Sequence, residues 1–207
     1  MRTIAFLSQK GGSGKTTLAV HIAVAAQGAG ERVVLVDTDP QASASAWAQA
    51  RKDEHPAVQR SAASGLAKLL EKARADGRTL AVIDTPPHAV PGVDLIARTA
   101  DLLVIPCRPS VLDLAAVASS VALAKAAGKP TVFVLNACDA RAPEIEQSKR
   151  VLAKHGFPVA PTDVGHRRAY SRALSTGSAV TEFEPKGKSA EEINGLWAWL
   201  TRHLEND

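Results

Sequence analysis

Cysteine is scarce in this chain. Cys107 and Cys138 are the two in 207 residues, too few for a disulfide framework, and their wide separation fits reduced thiols in a cytosolic protein. The six histidines form no H-x-x-x-H grouping, and no Cys-x-x-Cys is present, so neither pattern offers a zinc site. No stretch is long and apolar enough to span a bilayer. The best candidate, Leu18 to Ala29, is short and broken by His21 and Gln27. The first apolar run starts almost at Met1, so no cleaved signal peptide and no upstream helix-turn-helix domain are expected. No linker or internal repeat interrupts the chain, and 45% hydrophobic content predicts one domain with a sizeable core.

What the chain has is a glycine-rich turn in the right setting. Ile4-Ala5-Phe6-Leu7 reads as a buried strand and Thr16 to Ala29 as an Ala-rich helix, with Gln9-Lys10-Gly11-Gly12-Ser13-Gly14-Lys15-Thr16-Thr17 between them. Glycines at 11, 12 and 14 let the backbone wrap phosphates with its N–H groups turned inward, and the helix N-terminus adds partial positive charge. Lys15 would neutralise β/γ oxygens, and the Thr16 hydroxyl would ligate Mg²⁺. The general P-loop pattern G-x-x-x-x-G-K-[ST] wants glycine where Gln9 stands, so one position departs from it. A chance Gly-rich turn is the alternative.

Two more apolar runs end in carboxylates. Arg32 to Asp37 leads into Asp37-Thr38-Asp39-Pro40-Gln41, and Leu80 to Asp84 leads into Thr85-Pro86-Pro87. Strand C-terminal ends are where ligands bind in open α/β sheets. Asp39 followed by Pro40 also reads as a helix N-cap with proline at the first helical position. The prolines make Thr85 to Pro91 an irregular loop able to move with a bound phosphate. Further strands are expected at Leu102 to Ile105, before Pro106 to Ser110, and at Pro130 to Asn136, with Asn136 again at a C-terminal end. Helices are expected at Leu112 to Ala127 and about 142 to 155, then a strand near Phe157 to Val164 and two closing helices. This alternation predicts an α/β fold, a doubly wound and mostly parallel sheet with helices on both faces. In the closing segment Ile193, Leu196, Trp197, Leu200 and Leu204 share one helical stripe, which leaves Trp199 off it and partly exposed.

Lys10 through Thr17 matches K-G-G-x-G-K-T-[TS] without a gap, and the chain here resembles the deviant Walker ATPases of the ParA/MinD group. It is most like the small ParA proteins of plasmid partition. Asp37-Thr38-Asp39-Pro40-Gln41 is similar to that family's switch I, Asp84 to its Walker B carboxylate running into switch II, and Val111-Leu112-Asp113 to its dimer-side helix. The segment Val164 to Leu174, with Gly177 and Val180, is similar to its C-terminal region. The resemblance implies ATP and Mg²⁺ as cofactors, held by Gly11, Gly12, Ser13, Gly14, Lys15, Thr16 and Thr17, with Asn136 at the adenine edge. It implies Thr16, Asp37 and Asp84 around the metal and Lys15, Asp39 and Asp84 in hydrolysis, Asp39 orienting or deprotonating the attacking water. Lys10 would cross a face-to-face homodimer to the partner's ATP; a solvated loop lysine is the alternative.

Residues 141 to 188 hold nine Lys/Arg against five Asp/Glu, a surplus of four that equals the net charge of the whole chain. Lys149, Arg150, Arg167, Arg168 and Arg172 could track DNA phosphates without reading sequence, or could be solvated helix faces. The resemblance favours non-specific DNA and adds a centromere-binding ParB-type partner, with a cytoplasmic, nucleoid-associated protein. MinD itself ends in a membrane-binding basic helix, whereas Glu205-Asn206-Asp207 would be repelled by an anionic surface. Other readings are a MinD-like membrane regulator, a ligase of the dethiobiotin-synthetase type and an iron–sulfur carrier like the nitrogenase iron protein.

Overall fold

Continuous apolar runs, with no alternation, are what strands covered on both faces require. In the computed structural model they become β1 (Arg2–Phe6), β2 (Val33–Asp37), β4 (Leu80–Asp84), β5 (Leu102–Cys107) and β6 (Thr131–Cys138), with the short β3 (Ala57–Arg60) and β7 (Val164–Gly165) at the edges. The structure describes every residue except His88, Ala89, Asn206 and Asp207. The sheet order is β3-β2-β4-β1-β5-β6-β7, and every neighbouring pair is parallel. The chain first fills one side of β1 with β2, β3 and β4, then the other side with β5, β6 and β7. The loop after β1 therefore sits beside the reversal point, where open α/β sheets bind ligands.

Helices cover both faces. On one lie α1 (Lys15–Gly28), α2 (Ser43–Ala50), α7 (Arg168–Ser175), α8 (Val180–Phe183) and α9 (Lys188–Glu205). On the other lie α3 (Leu66–Ala75), α4 (Val93–Thr99), α5 (Val111–Ala127) and α6 (Glu144–Ala153). α1 is buried from Leu18 to Ala26, as an apolar helix without a polar face should be. α2, β3 and α3 lie in a stretch with no long apolar run, because β3 is an edge strand whose Gln59 and Arg60 are exposed.

The structure corrects two expectations. The strand near Phe157 to Val164 is reduced to a single bridge between Val159 and Phe133 and to the two residues of β7. Pro158 and Pro161 have no N–H to give a ladder, so before β7 the segment's backbone meets β6 through Phe133 N–H to Pro158 O and Ala160 N–H to Phe133 O, both 2.8 Å. Trp199 is 9% exposed and belongs to the core. α9 packs against α1, α8 and β7 together, which buries a wider face than one stripe.

His21 is the core's one ionisable surprise. It is fully buried in α1, its Nδ1 accepts the Val180 N–H at 3.2 Å, and its ring meets Tyr170 edge-on at 5.1 Å. Burial holds its pKa down at about 3. The unfolded chain therefore binds a proton below about pH 6.5 that the native state refuses, so stability present at neutral pH is lost as pH falls. Between pH 7 and 4.5 this group alone costs about 2 to 3 kcal/mol. Urea titrations of wild type and His21→Gln at both pH values should show a smaller acid loss in the variant by about that amount.

Candidate nucleotide site

The site is assembled at the C-terminal edge of the sheet by three strand ends. β1 delivers the glycine-rich loop, β2 ends in Asp37 and β4 in Asp84, with Asp37 and Asp84 abreast in the β2–β4 register. Gly14 precedes the first residue of α1 with φ of +95°, a left-handed conformation that side chains resist. A Cβ there would also lie 1.9 Å from Asn136 Nδ2, which donates to the Ser13 carbonyl at 2.9 Å. Asn136 thus buttresses the loop from β6. It is aimed there by a bulge: Ala137, at φ of +54°, shifts the β6–β7 register between Asn136 and Cys138.

Charge in this edge is buried and incompletely matched. Lys15 is 6% exposed, and burial lowers its pKa against the opposing pull of Asp84 and Asp39. Asp84 is fully buried, and burial raises its carboxyl to about 7, with the Thr16 hydrogen bond acting the other way. One oxygen, Oδ2, accepts the Thr16 hydroxyl at 2.6 Å. The other, Oδ1, is buried with no protein partner among the described residues, and so is the Ser13 hydroxyl. An orphaned carboxylate oxygen beside the threonine that opens the helix is what a hydrated Mg²⁺ would complete, so the residues present fit that ion.

The second carboxylate is engaged differently. Asp37 Oδ2 accepts both the N–H and the hydroxyl of Ser45 at 2.8 and 2.7 Å, and Oδ1 accepts the Asp39 N–H at 3.2 Å. Asp39 is not the helix cap that Asp-Pro suggests. It accepts the Gln41 N–H at 2.9 Å in a tight turn, and α2 begins only after Ala42, whose φ is +55°. Its side chain therefore stays at the edge near Lys15. The loop read as switch II includes His88 and Ala89, outside the described residues; its described ends carry no regular structure up to the turn before α4.

Lys10 does not fold over its own loop. Its Nζ pairs with Asp113 at 2.9 Å, near the start of α5, where Ser110 caps the helix by accepting the Asp113 N–H. Val111 and Leu112 beside it are 82% and 77% exposed. Ser45 and Asp113 were missed as partners of the site. The Ser110-x-x-Asp113 capping pattern was a signal for the second; none existed for the first. A cavity of about 500 Å³ opens beyond Gly14 and Asn136, lined also by Thr17, Arg108, Arg168 and Tyr170.

The five basic residues read as one surface do not form one. Lys149 and Arg150 lie on α6 and Arg168 and Arg172 on α7, on opposite faces of the sheet. Lys149 is paired with Asp163 at 3.0 Å, and Arg167 with Glu192 at 2.7 Å. Cys107 and Cys138 are buried, and burial pushes both thiols up to about 12, so neither is a free reactive thiolate.

The family model described as the CobQ/CobB/MinD/ParA nucleotide binding domain matches residues 4–180. The chain belongs to the CobQ/CobB/MinD/ParA family. Within it, the chain is 36% identical to the maintenance of carboxysome distribution protein A of Gloeobacter kilaueensis, over all of this chain and 95% of that one. It is 27% identical to protein ParA of Rhizobium radiobacter, over 96% and 94% of the two chains. The fold superposes on the septum site-determining protein MinD complexed with Mg-ADP from Pyrococcus horikoshii, with a TM-score of 0.80 at 17% identity over 96% and 95% of the chains. The protein is a ParA/MinD-family ATPase.

In such an ATPase the Gly14 contact is a sharp test of the loop. Gly14→Ala should weaken ATP binding roughly tenfold or more, since both its φ and the overlap with Asn136 must be relieved, each at a cost of about 1 kcal/mol or above. Fluorescent-nucleotide titration of wild type and variant would measure it, with the melting temperature as a check on folding.

Proposed function

We propose that this ATPase is a nucleotide-switched homodimer that binds DNA non-specifically and distributes a cargo over the nucleoid. One observation carries the reading: Lys10 is turned away from its own loop and sits on Asp113 at a rim with exposed Val111 and Leu112. A lysine so placed serves a second subunit's nucleotide better than its own, and two exposed apolar side chains on a helix start call for a covering surface. Gly11 to Thr17 cradle the phosphates of ATP, Lys15 neutralises their charge, and Asn136 braces the loop and lines the base cavity. Thr16, Asp84 and Asp37 would hold Mg²⁺, which would supply neutralisation of the phosphate charge. Asp39 holds the attacking water and takes its proton. Slow hydrolysis releases the segments at Asp37 to Gln41 and Thr85 to Pro91 and opens the dimer.

The cargo assignment follows the relatives. The fully covered relative at 36% identity is named for carboxysome distribution, and the one at 27% is a ParA, so the cargo is a large protein body or a replicon and plasmid partition is one case. A ParB-type or analogous adaptor on the cargo would stimulate hydrolysis. We place the protein in the cytoplasm, on the nucleoid in its ATP form. No described helix is long and apolar enough to cross a membrane, and of the acidic tail only Glu205 lies within the described residues. A ligase reading draws support from a second cavity of about 530 Å³ beside Asp39, lined by Arg60, Pro86, Val93 and Ile96. It would need a carboxylate substrate that speeds phosphate release.

Duplex-DNA binding and solution mass, measured without nucleotide, with ADP and with a slowly hydrolysed ATP analogue, test the reading. Dimer mass and salt-sensitive DNA binding should appear together in the ATP form alone. Lys10→Ala should bind ATP yet stay monomeric and lose most turnover. A variant that dimerises and hydrolyses normally would overturn the trans-lysine mechanism.

A further inference from the structure

α2 is held at both ends by side chains, and its two ends face different parts of the molecule. At its start, Ser45 grips the Asp37 carboxylate through N–H and hydroxyl. Two residues further on, Trp47 Nε1 donates to Ser178 O at 3.1 Å, and at the helix's C-terminal end, about 9 Å along the axis from Ser45, Arg51 Nη1 donates to Gly177 O at 3.0 Å. The Arg51 guanidinium forks onto Glu182 at 2.8 and 2.6 Å and lies 5.0 Å from the centre of the Trp47 ring. Its side chain is 6% exposed, so this is a seated clamp and not a surface pair. Gly177, at φ of +71°, completes it: a Cβ there would lie 2.4 Å from the backbone of Ala50 and Arg51. Only glycine lets the turn that ends α7 touch the end of α2.

Between the ends, α2 and α7 are separated by a cleft of about 560 Å³ lined by Thr16, Thr17, Trp47, Leu174 and Ser175. The clamp adds hydrogen bonds and an ion pair to the direct contact between the two helices, and is the polar connection through which α2 can pull on α7. Away from that cleft α7 exposes Arg168, Ser171 and Arg172, neighbours at helical spacing. α6, carrying Arg150, packs on α5 and β6 across the sheet and has no such link to Asp37.

We propose that α2 is a strut joining the Asp37 edge to the arginine stripe of α7, with Trp47 and Arg51 as positioning residues. α7, and not α6, is then the nucleotide-gated surface for an anionic polymer such as duplex DNA. The inference rests on the nucleotide-switched, DNA-binding reading above. When Asp37 and its turn rearrange around Mg-ATP, Ser45 carries α2 with them, and the clamp at Gly177 and Ser178 passes the shift to α7. The shift sets how Arg168 and Arg172 meet phosphates.

Trp47→Phe removes one donor while keeping the ring, and Arg51→Gln removes the fork; both are compared with Arg172→Ala on α7 and Arg150→Ala on α6. The readouts are ATP turnover, dimer mass, the ratio of DNA affinities in the ATP-analogue and ADP forms, and hydrogen exchange of α7 amides in each nucleotide state. Trp47→Phe and Arg51→Gln should keep turnover and dimer mass, while the affinity ratio falls roughly tenfold, about 1.4 kcal/mol of coupling. The nucleotide-dependent change in α7 exchange should vanish with it, and Arg172→Ala should weaken the ATP-form complex more than Arg150→Ala. An unchanged ratio with α7 exchange still responding to nucleotide in both variants overturns the strut, as does the reverse order of the two arginine variants. Wild type that ignores DNA in every state would sink the DNA reading alone. The strut is then decided by exchange: it stands if the α7 response is lost in Trp47→Phe and falls if the response is kept.

Discussion

A carboxylate buried at the end of a dry parallel strand is the constraint around which this molecule is built. Asp84 is fully buried, one oxygen is met by Thr16, and the other is met by nothing in the described protein. Holding it ionised above pH 7 costs roughly 4 kcal/mol relative to water, from a carboxyl raised from 3.8 to about 7. Such a cost persists in a native state only where a ligand relieves it. A divalent ion brought by a nucleotide would supply the missing charge beside the loop amides, as the proposed function requires.

The rest of the edge follows from that centre. Thr38 donates its N–H and hydroxyl to the Asp84 carbonyl at 3.0 and 2.7 Å, so the β2 turn is fastened to β4 before any side chain reaches a ligand. Asp37 is then satisfied by Ser45 and does not share Asp84's exposure to an unmet charge. The two neighbouring carboxylates thus differ: Asp84 keeps an unpartnered oxygen, and Asp37 also anchors the helix that follows.

Much of this was legible in the sequence because it depends on local patterns. Buried parallel strands must be apolar throughout, and the glycines at 12 and 14 are needed by positive φ, so strand and loop announced themselves. What failed to show were interactions made across long separations. Ser45 looks like any helix-start serine, and Ala137 takes a left-handed conformation that its identity gives no hint of, yet the bulge there aims Asn136 at Gly14. Trp199 misled because one helical stripe was assumed where α9 meets three neighbours. The Asp39-Pro40 pair left a helix cap open as an alternative because proline suits a turn as well as a helix start, and the structure makes it a turn.

The basic segment shows why charge counted along a chain is a poor map of charge in space. Nine cations within 48 residues look like a patch, but the sheet passes between α6 and α7 and puts Lys149 and Arg150 on one face and Arg168 and Arg172 on the other. Internal pairing removes Lys149 and Arg167, leaving Arg168 and Arg172 as the exposed pair on one helix. Two phosphate contacts support only weak binding, since the affinity from counterion release scales steeply with the number of contacts. A symmetric dimer doubles that number, which raises a weak monomer affinity toward its square once both copies engage one duplex. Few cations per subunit would therefore suit the proposed switch: a strongly basic monomer would stay on DNA in every nucleotide state, whereas a weakly basic one would need its partner to hold on.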